Sequence, residues 1–228
     1  MALHVLLQDP AYEVVGLLIS VRRDTDRVSV HEIRRELLDA QLAALPSDLA
    51  IFEVSLPATS SNAEYEGAFF AGLDAARRRF PQLAILAFGD LFLQDVRDYR
   101  VRMLGRWPGD EGRPLTPLFP IWGRDTTVLA QEFILLGFRA HLVCVDTTQL
   151  DACFAGRVFD ASLLEELPQS VDPCGEEGEF HTFVSDGPVF TRAVPVSVGE
   201  VELRGMGNRF AFCDLRLGEE KGEGGGGK

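Results

Sequence analysis

Lysine is missing from the body of this chain. Lys221 and Lys228 both stand in the terminal GEEKGEGGGGK, and arginine supplies the cations elsewhere. Cysteine is scarce and scattered: Cys144, Cys153, Cys174 and Cys213 form no CxxC pair, which removes the usual zinc spacing and any disulfide framework. No unbroken apolar run reaches the roughly 18 residues of a membrane span. The start, MALHVLLQDP, carries no basic leader and no small-residue cleavage site, so no membrane partner and a cytoplasmic location are expected. Net positive charge is lacking as well. The formal charge is -13, and the tail residues Glu219, Glu220, Lys221, Glu223 and Lys228 hold only -1 of it. An acidic body repels phosphate backbones, so no nucleic-acid partner is expected. The triplet Arg77-Arg78-Arg79 reads as the cationic last turn of a helix.

What is present is an ordinary globular composition, 46% hydrophobic, arranged in alternating patterns. Residues 12 to 21, YEVVGLLISV, form a β-rich apolar run of the kind buried on both faces of a parallel sheet. A helix over 31 to 42 follows, with Ser29 and Glu32 as its cap. A strand over 50 to 56, a helix over 64 to 80 and a strand over 83 to 88 continue the alternation, which implies parallel crossovers. Residues 105 to 120 are rich in Pro and Gly and read as a domain junction or a long loop. Beyond them come a helix over 127 to 136, a strand over 139 to 145, a short helix over 163 to 167, and strands over 179 to 184, 188 to 197 and 200 to 217. The expected class is α/β: a parallel sheet in residues 1 to 104, a smaller α+β part in 105 to 217, and a flexible tail from 218 to 228.

Chemistry is concentrated in DPCGEEGEFHTFVSDGPVF, residues 172 to 190. Asp172, Cys174, Glu176, Glu177, Glu179, His181 and Asp186 are interleaved with Gly175, Gly178 and Gly187. Glycines at that spacing let the backbone take positive φ or approach a ligand. The run reads as a site, with a solvated turn as the alternative. Its second half alternates as a strand, which puts Glu179 and His181 on one face and Phe180 and Thr182 on the other. Gly89-Asp90 closes an expected strand, at the carboxyl edge where open α/β sheets take ligands; Asp90 as a helix cap is the competing reading. Trp122, in FPIWGRD, is either a core anchor or a substrate platform.

Several of these segments resemble the diphthine-ammonia ligases of the PP-loop ATP pyrophosphatase superfamily. They are GDLFLQDVRDYR (89 to 100), FPIWGRDT (119 to 126), GFRA (137 to 140), AGRVFD (155 to 160) and VDPCGEEGEFHTFVSDGPVF (171 to 190), with VHEIRRELLDAQ (30 to 41) and NAEYE (62 to 66) as weaker matches. The resemblance implies a Rossmann-like sheet of the adenine nucleotide alpha hydrolase type. It also implies an ATP- and Mg-dependent reaction in which a carboxylate is adenylated and ammonia displaces AMP. The family's Ser-Gly-Gly-Lys-Asp-Ser phosphate loop is absent, because the chain opens at what resembles the middle of the family's first helix. A truncated start is therefore expected. Two smaller departures are Glu177, where the family commonly has Asn, and Pro120-Ile121-Trp122 in place of Pro-Leu-Trp.

On that resemblance Glu176, Glu179 and His181 are the catalytic candidates, the carboxylates for Mg or a cationic group and His181 as a proton shuttle or a hydrogen-bonded strand histidine. Gly89, Asp90 and His31 are cofactor-binding candidates, and Trp122, Arg97, Cys174, Gly175, Gly178 and Thr182 substrate-binding ones. The expected partners are ammonia and a small or protein-borne carboxylate. Three alternatives stay open: a binding module without ATP chemistry, a sulfur transferase using Cys174, and a metal site from Cys174, Glu179 and His181.

Overall fold

Segments rich in aliphatic residues, interrupted by Ser20 in the first and by Glu53 and Ser55 in the second, build the first pair of strands, Gly16–Arg22 (β1) and Ala50–Leu56 (β2), which pair in parallel with Gly16 opposite Ala50. The structure is a computed structural model describing residues 1–22, 33–56, 61–109, 113–205 and 207–219. Ahead of β1 lies α1 (Ala2–Gln8), and between the two strands α2 (Arg35–Ala43). The expected capping pair of that second helix, Ser29 and Glu32, lies outside the described residues, and Arg34 occupies the N-cap position. Arg34 also forks onto Asp214 at 2.8 and 2.7 Å, fastening the helix start to the C-terminal sheet.

The third helix, α3 (Asn62–Arg79), buries Phe69, Gly72, Leu73 and Ala76 at helical spacing and packs on β2. It begins two residues before the expected start because Ser61 and Glu64 form a capping box. Gly72 permits the close approach: a Cβ there would meet Leu18 and Val54 at 2.8 and 2.9 Å. The strand Ile85–Ala87 (β3) pairs in parallel with Thr116–Leu118 (β4), and α4 (Gln94–Arg106) lies between them in sequence. Residues 105 to 120, expected to be a junction or loop, thus contain a strand. Parallel pairing is present as expected, but in two separate two-stranded ladders, β1-β2 and β3-β4.

The C-terminal part is antiparallel. After α5 (Thr126–Leu135) come β5 (Arg139–Asp146), α6 (Ala161–Glu166), β6 (Phe180–Asp186), β7 (Val196–Arg204) and β8 (Phe210–Leu217), in spatial order β6-β5-β8-β7. Its core joins Leu142, Val143, Val145, Phe180, Phe183, Ala211 and Leu215 to Leu37 of α2 and Ala130 of α5. Two expectations fail here. Residues 188 to 195 are irregular rather than a strand, their N–H groups going out of register, Thr191 to the Ala44 carbonyl and Val194 to the Ser185 carbonyl, each at 2.7 Å. The expected strand over 200 to 217 is two, β7 and β8, broken around Gly205, Gly207 and Asn208, all at positive φ. Of the expected tail, Gly218 is hydrogen-bonded to the Pro195 carbonyl at 3.0 Å, and residues 220–228 lie outside the described ones. Among the described residues no helix is long and apolar enough to cross a membrane.

Candidate functional site

Three segments singled out in the sequence converge at the carboxyl end of β3. The first is the turn after that strand, Gly89-Asp90-Leu91-Phe92. Asp90 does not cap α4, whose N-cap is Leu93. Its carboxylate instead faces Arg100, with Nε to Oδ2 at 3.7 Å, and both of those buried atoms lack a hydrogen-bond partner. Buried polar groups are normally paired, so an orphaned acceptor beside an orphaned donor marks a place where a polar ligand is wanted.

The second segment is the loop from Val171 to Glu179, which the chain closes on itself. The Asp172 carboxylate accepts from the Cys174 and Glu176 N–H groups at 3.2 and 2.9 Å, and Glu179 accepts from the Asp172 N–H at 2.7 Å. Gly175 and Gly178 take φ of 68° and 85°, the left-handed region that favours glycine. At Gly175 a Cβ would also meet the Phe180 carbonyl oxygen at 2.7 Å. Glu179 is 1% exposed and its second oxygen, Oε2, is buried without a partner. Glu179 and Phe180 are both buried, and it is the loop's own backbone that satisfies much of the charge.

Glu176 joins the two segments. Its Oε1 accepts from the Leu91 N–H at 2.7 Å, and the Phe92 N–H also points to it. Burial pushes its pKa up, against the pull of the Leu91 donor, and the nearby Asp90 and Asp172 add to the rise. The third segment, Phe119 to Thr126, attaches beside them. The Gly123 N–H donates to the Leu91 carbonyl at 2.8 Å, and the Cys174 thiol donates to the Thr126 carbonyl at 3.3 Å. Burial, followed by Asp172, Glu176 and Asp125, pushes the Cys174 thiol up to about 12.

An arginine–aromatic platform borders this junction. Arg97 lies over Trp122 at 4.6 Å and over Phe119 at 5.2 Å, Phe119 stacks on Phe88 at 5.5 Å, and Arg100 lies over Phe88 at 5.2 Å. Trp122 is only half-buried. A cleft of about 870 Å³ opens from here between β1 and β3, with Gly89 and Arg100 among its lining residues.

Residues 125–216 match the family model described as Diphthamide synthase C-terminal domain. The diphthine–ammonia ligase of Danio rerio is 34% identical over 91 residues, which cover 38% of this chain and 36% of that protein. The chain thus spans about a third of the length of the curated relative it matches. Within the matched residues lie the closed loop, Cys174 and Glu176, while Asp90, Arg97 and Trp122 precede them.

The remaining candidates sit elsewhere. His181 and Thr182 stand in β6 opposite Cys144 and Leu142, and burial lowers the pKa of His181. His31 lies outside the described residues. Among the described residues no three His, Cys, Asp or Glu side chains are grouped as a metal ion would need, which removes the centre of Cys174, Glu179 and His181. The sequence reading missed Arg100, Phe119 and Phe88, and the clamp of Glu176 on Leu91. The aromatic spacing of Phe119 and Trp122 was a usable signal for part of the platform.

Proposed function

We propose that this chain is the substrate-binding portion of an ATP-dependent carboxylate–amine ligase of the diphthine–ammonia type. What carries the reading is the junction itself: a loop of the diphthamide synthase match, clamped by Glu176, meets the carboxyl end of a parallel strand where Asp90 and Arg100 face each other with buried polar atoms that make no hydrogen bond. Those atoms fit the charged end of a nucleotide. Arg100 suits a phosphate oxygen, and Asp90 suits Mg or a hydroxyl group. ATP, when bound, supplies the leaving group that a carboxylate lacks. Arg97, fixed over Trp122 and Phe119, presents a permanent positive charge to the substrate carboxylate. Glu176 and Glu179 hold the loop rather than the reacting atoms.

The test is incubation with ATP, Mg, ammonium and a diphthine-bearing protein, reading AMP release and amide formation. Asp90→Asn and Arg97→Ala are each expected to cut turnover at least tenfold. Unchanged AMP release in both variants would sink the assignment. The lysine-free body favours a second reading, a module that binds the carboxylate without turning ATP over; retained carboxylate binding with no AMP release is its signature. A sulfur-carrier role for Cys174 is disfavoured, because its thiol is held protonated and donates to a carbonyl.

A further inference from the structure

The antiparallel sheet ends at β7, whose outer edge pairs with no described strand. That edge is neither short nor polar. Val198, Val201 and Leu203 are 53%, 45% and 51% exposed, and Leu217 of the neighbouring strand is 44% exposed. All stand on the core side of the sheet, because the register sets Val198 opposite Leu215, Val201 opposite Cys213 and Leu203 opposite Ala211, three buried residues. The apolar face thus continues past the core that covers it. β7 also carries one extra residue. Gly199 and Glu200 together oppose Asp214, a bulge that puts even-numbered residues on the core side before it and odd-numbered ones after it. Before the bulge, the Gly218 N–H donates to the Pro195 carbonyl, so odd residues serve β8, and Val196 and Val198 direct their N–H and C=O groups outward. After it, β8 serves β5 through Arg209, whose carbonyl accepts from the Thr147 N–H, and turns Phe210 and Phe212 to Arg204 and Glu202. Val201 and Leu203 therefore bond outward as well.

We propose that β7 is a dimer edge, on which a second copy of this chain docks its own β7 antiparallel across a two-fold axis between Gly199 and Glu200. In that register Val196 lies opposite the second copy's Leu203 and Val198 opposite its Val201. All four outward-bonding residues then meet outward-bonding residues, and apolar side chains meet apolar ones. On the other face Glu200 meets the second copy's Gly199 and Glu202 meets its Ser197, so no carboxylate stands directly opposite another. The bulge favours a second copy over any other strand. A regular strand has one residue too few opposite Gly199 and Glu200, whereas a second copy brings the same extra residue and leaves none over. Main-chain bonds along the edge hold the pair, and the apolar side chains on either side of the bulge fix its register. β7 lies at the opposite edge of the sheet from β6, so this inference stands whether or not the chain is a ligase.

Sedimentation velocity reads the mass of the full chain, and cysteine pairing reads the register. The chain is expected to reach twice its 25.1 kDa at concentrations up to about 100 µM, above the micromolar limit of ordinary interfaces. Leu203→Glu, at a side chain already half in water, is expected to weaken dimerisation at least tenfold with the far-UV circular dichroism unchanged. In a Cys153→Ser background, which removes the exposed thiol, Val196→Cys mixed with Leu203→Cys is expected to give a disulfide-linked dimer on oxidation. Directly opposed residues lie about 5.5 Å apart between Cα atoms, within reach of that bond. Neither variant alone links, because each position then stands far from its own copy. A monomer throughout the concentration range overturns the proposal and leaves the edge to a strand of another protein. A dimer untouched by Leu203→Glu overturns it as well, and linkage within either variant alone overturns the register.

Discussion

Glu176→Ala removes the acceptor that holds the turn after β3 to the diphthamide synthase loop. Two donors lose their partner, the N–H groups of Leu91 and Phe92. Leu91 is 4% exposed and Phe92 38%, so the Phe92 N–H can turn to water whereas that of Leu91 stays unpaired. One buried backbone donor without a partner costs about 1–3 kcal/mol. In a chain of this length each kcal/mol moves Tm by about 2–4 °C, so a loss of about 2 kcal/mol lowers it by about 4–8 °C. Glu176→Gln keeps an acceptor oxygen and discards a charge that burial penalises, so its cost stays under about 1 kcal/mol. The pH dependence has a definite sign. A carboxyl whose folded pKa is raised contributes stability that is fully present below its unfolded pKa and lost as pH rises through the folded one. Wild type therefore loses stability as pH rises through the raised pKa of Glu176, and Glu176→Gln does not. Thermal unfolding by circular dichroism at several pH values reads all three proteins. A Glu176→Ala protein melting within 1 °C of wild type at pH 7 would refute the clamp.

Asp146, 2% exposed at the end of β5, is forked by Arg209 and also bonded by Thr148 and Gln149, with Arg209 the largest cause of a carboxyl held well below the usual range. Arg209→Ala is expected to destabilise the fold, and only modestly because the guanidinium is partly exposed. Asp146's contribution is present above the ordinary carboxylate pKa and fades as pH falls below it, so Arg209→Ala, which removes the largest cause of the depression, makes the loss of stability below pH ~4 shallower than in wild type; parallel acid titrations check this. Gly175→Ala meets both a left-handed backbone and the Phe180 carbonyl, whereas Gly178→Ala meets open space and pays for the backbone alone. The first is therefore expected to lower Tm by more than the second, for which about 1 kcal/mol is expected. With a pKa of about 12, only about 10⁻⁵ of Cys174 is thiolate at pH 7, so peptide mapping after iodoacetamide treatment should find it unmodified when exposed Cys153 is already labelled.

Strand β2 is legible residue for residue because Ile51, Phe52 and Val54 are strong strand formers side by side, and α3 because its buried positions recur at helical spacing. Strand β4 is not. Pro117 reads as a breaker, yet Thr116 and Leu118 make the bonds to β3 and Pro117 points its missing N–H away from that partner, which an edge strand tolerates. At the site, the left-handed glycines and the density of carboxylates announce a closed loop. What the loop closes onto depends on tertiary distance: Glu176 and Leu91 are 85 residues apart, and neither carries a local pattern that names the other. Arg97 and Trp122 were both candidates, but only the fold stacks one upon the other.

That stack gives the protein a built-in optical gauge. Of its two tryptophans, Trp107 is 7% exposed, with its indole N–H on Asp74 at 3.0 Å, while Trp122 is half-buried under a guanidinium that keeps its charge at any working pH. A carboxylate that draws Arg97 off the ring changes the emission of Trp122 and leaves Trp107 as an internal reference. Occupancy of the platform can thus be followed in the unlabelled protein, before its reaction has been assayed.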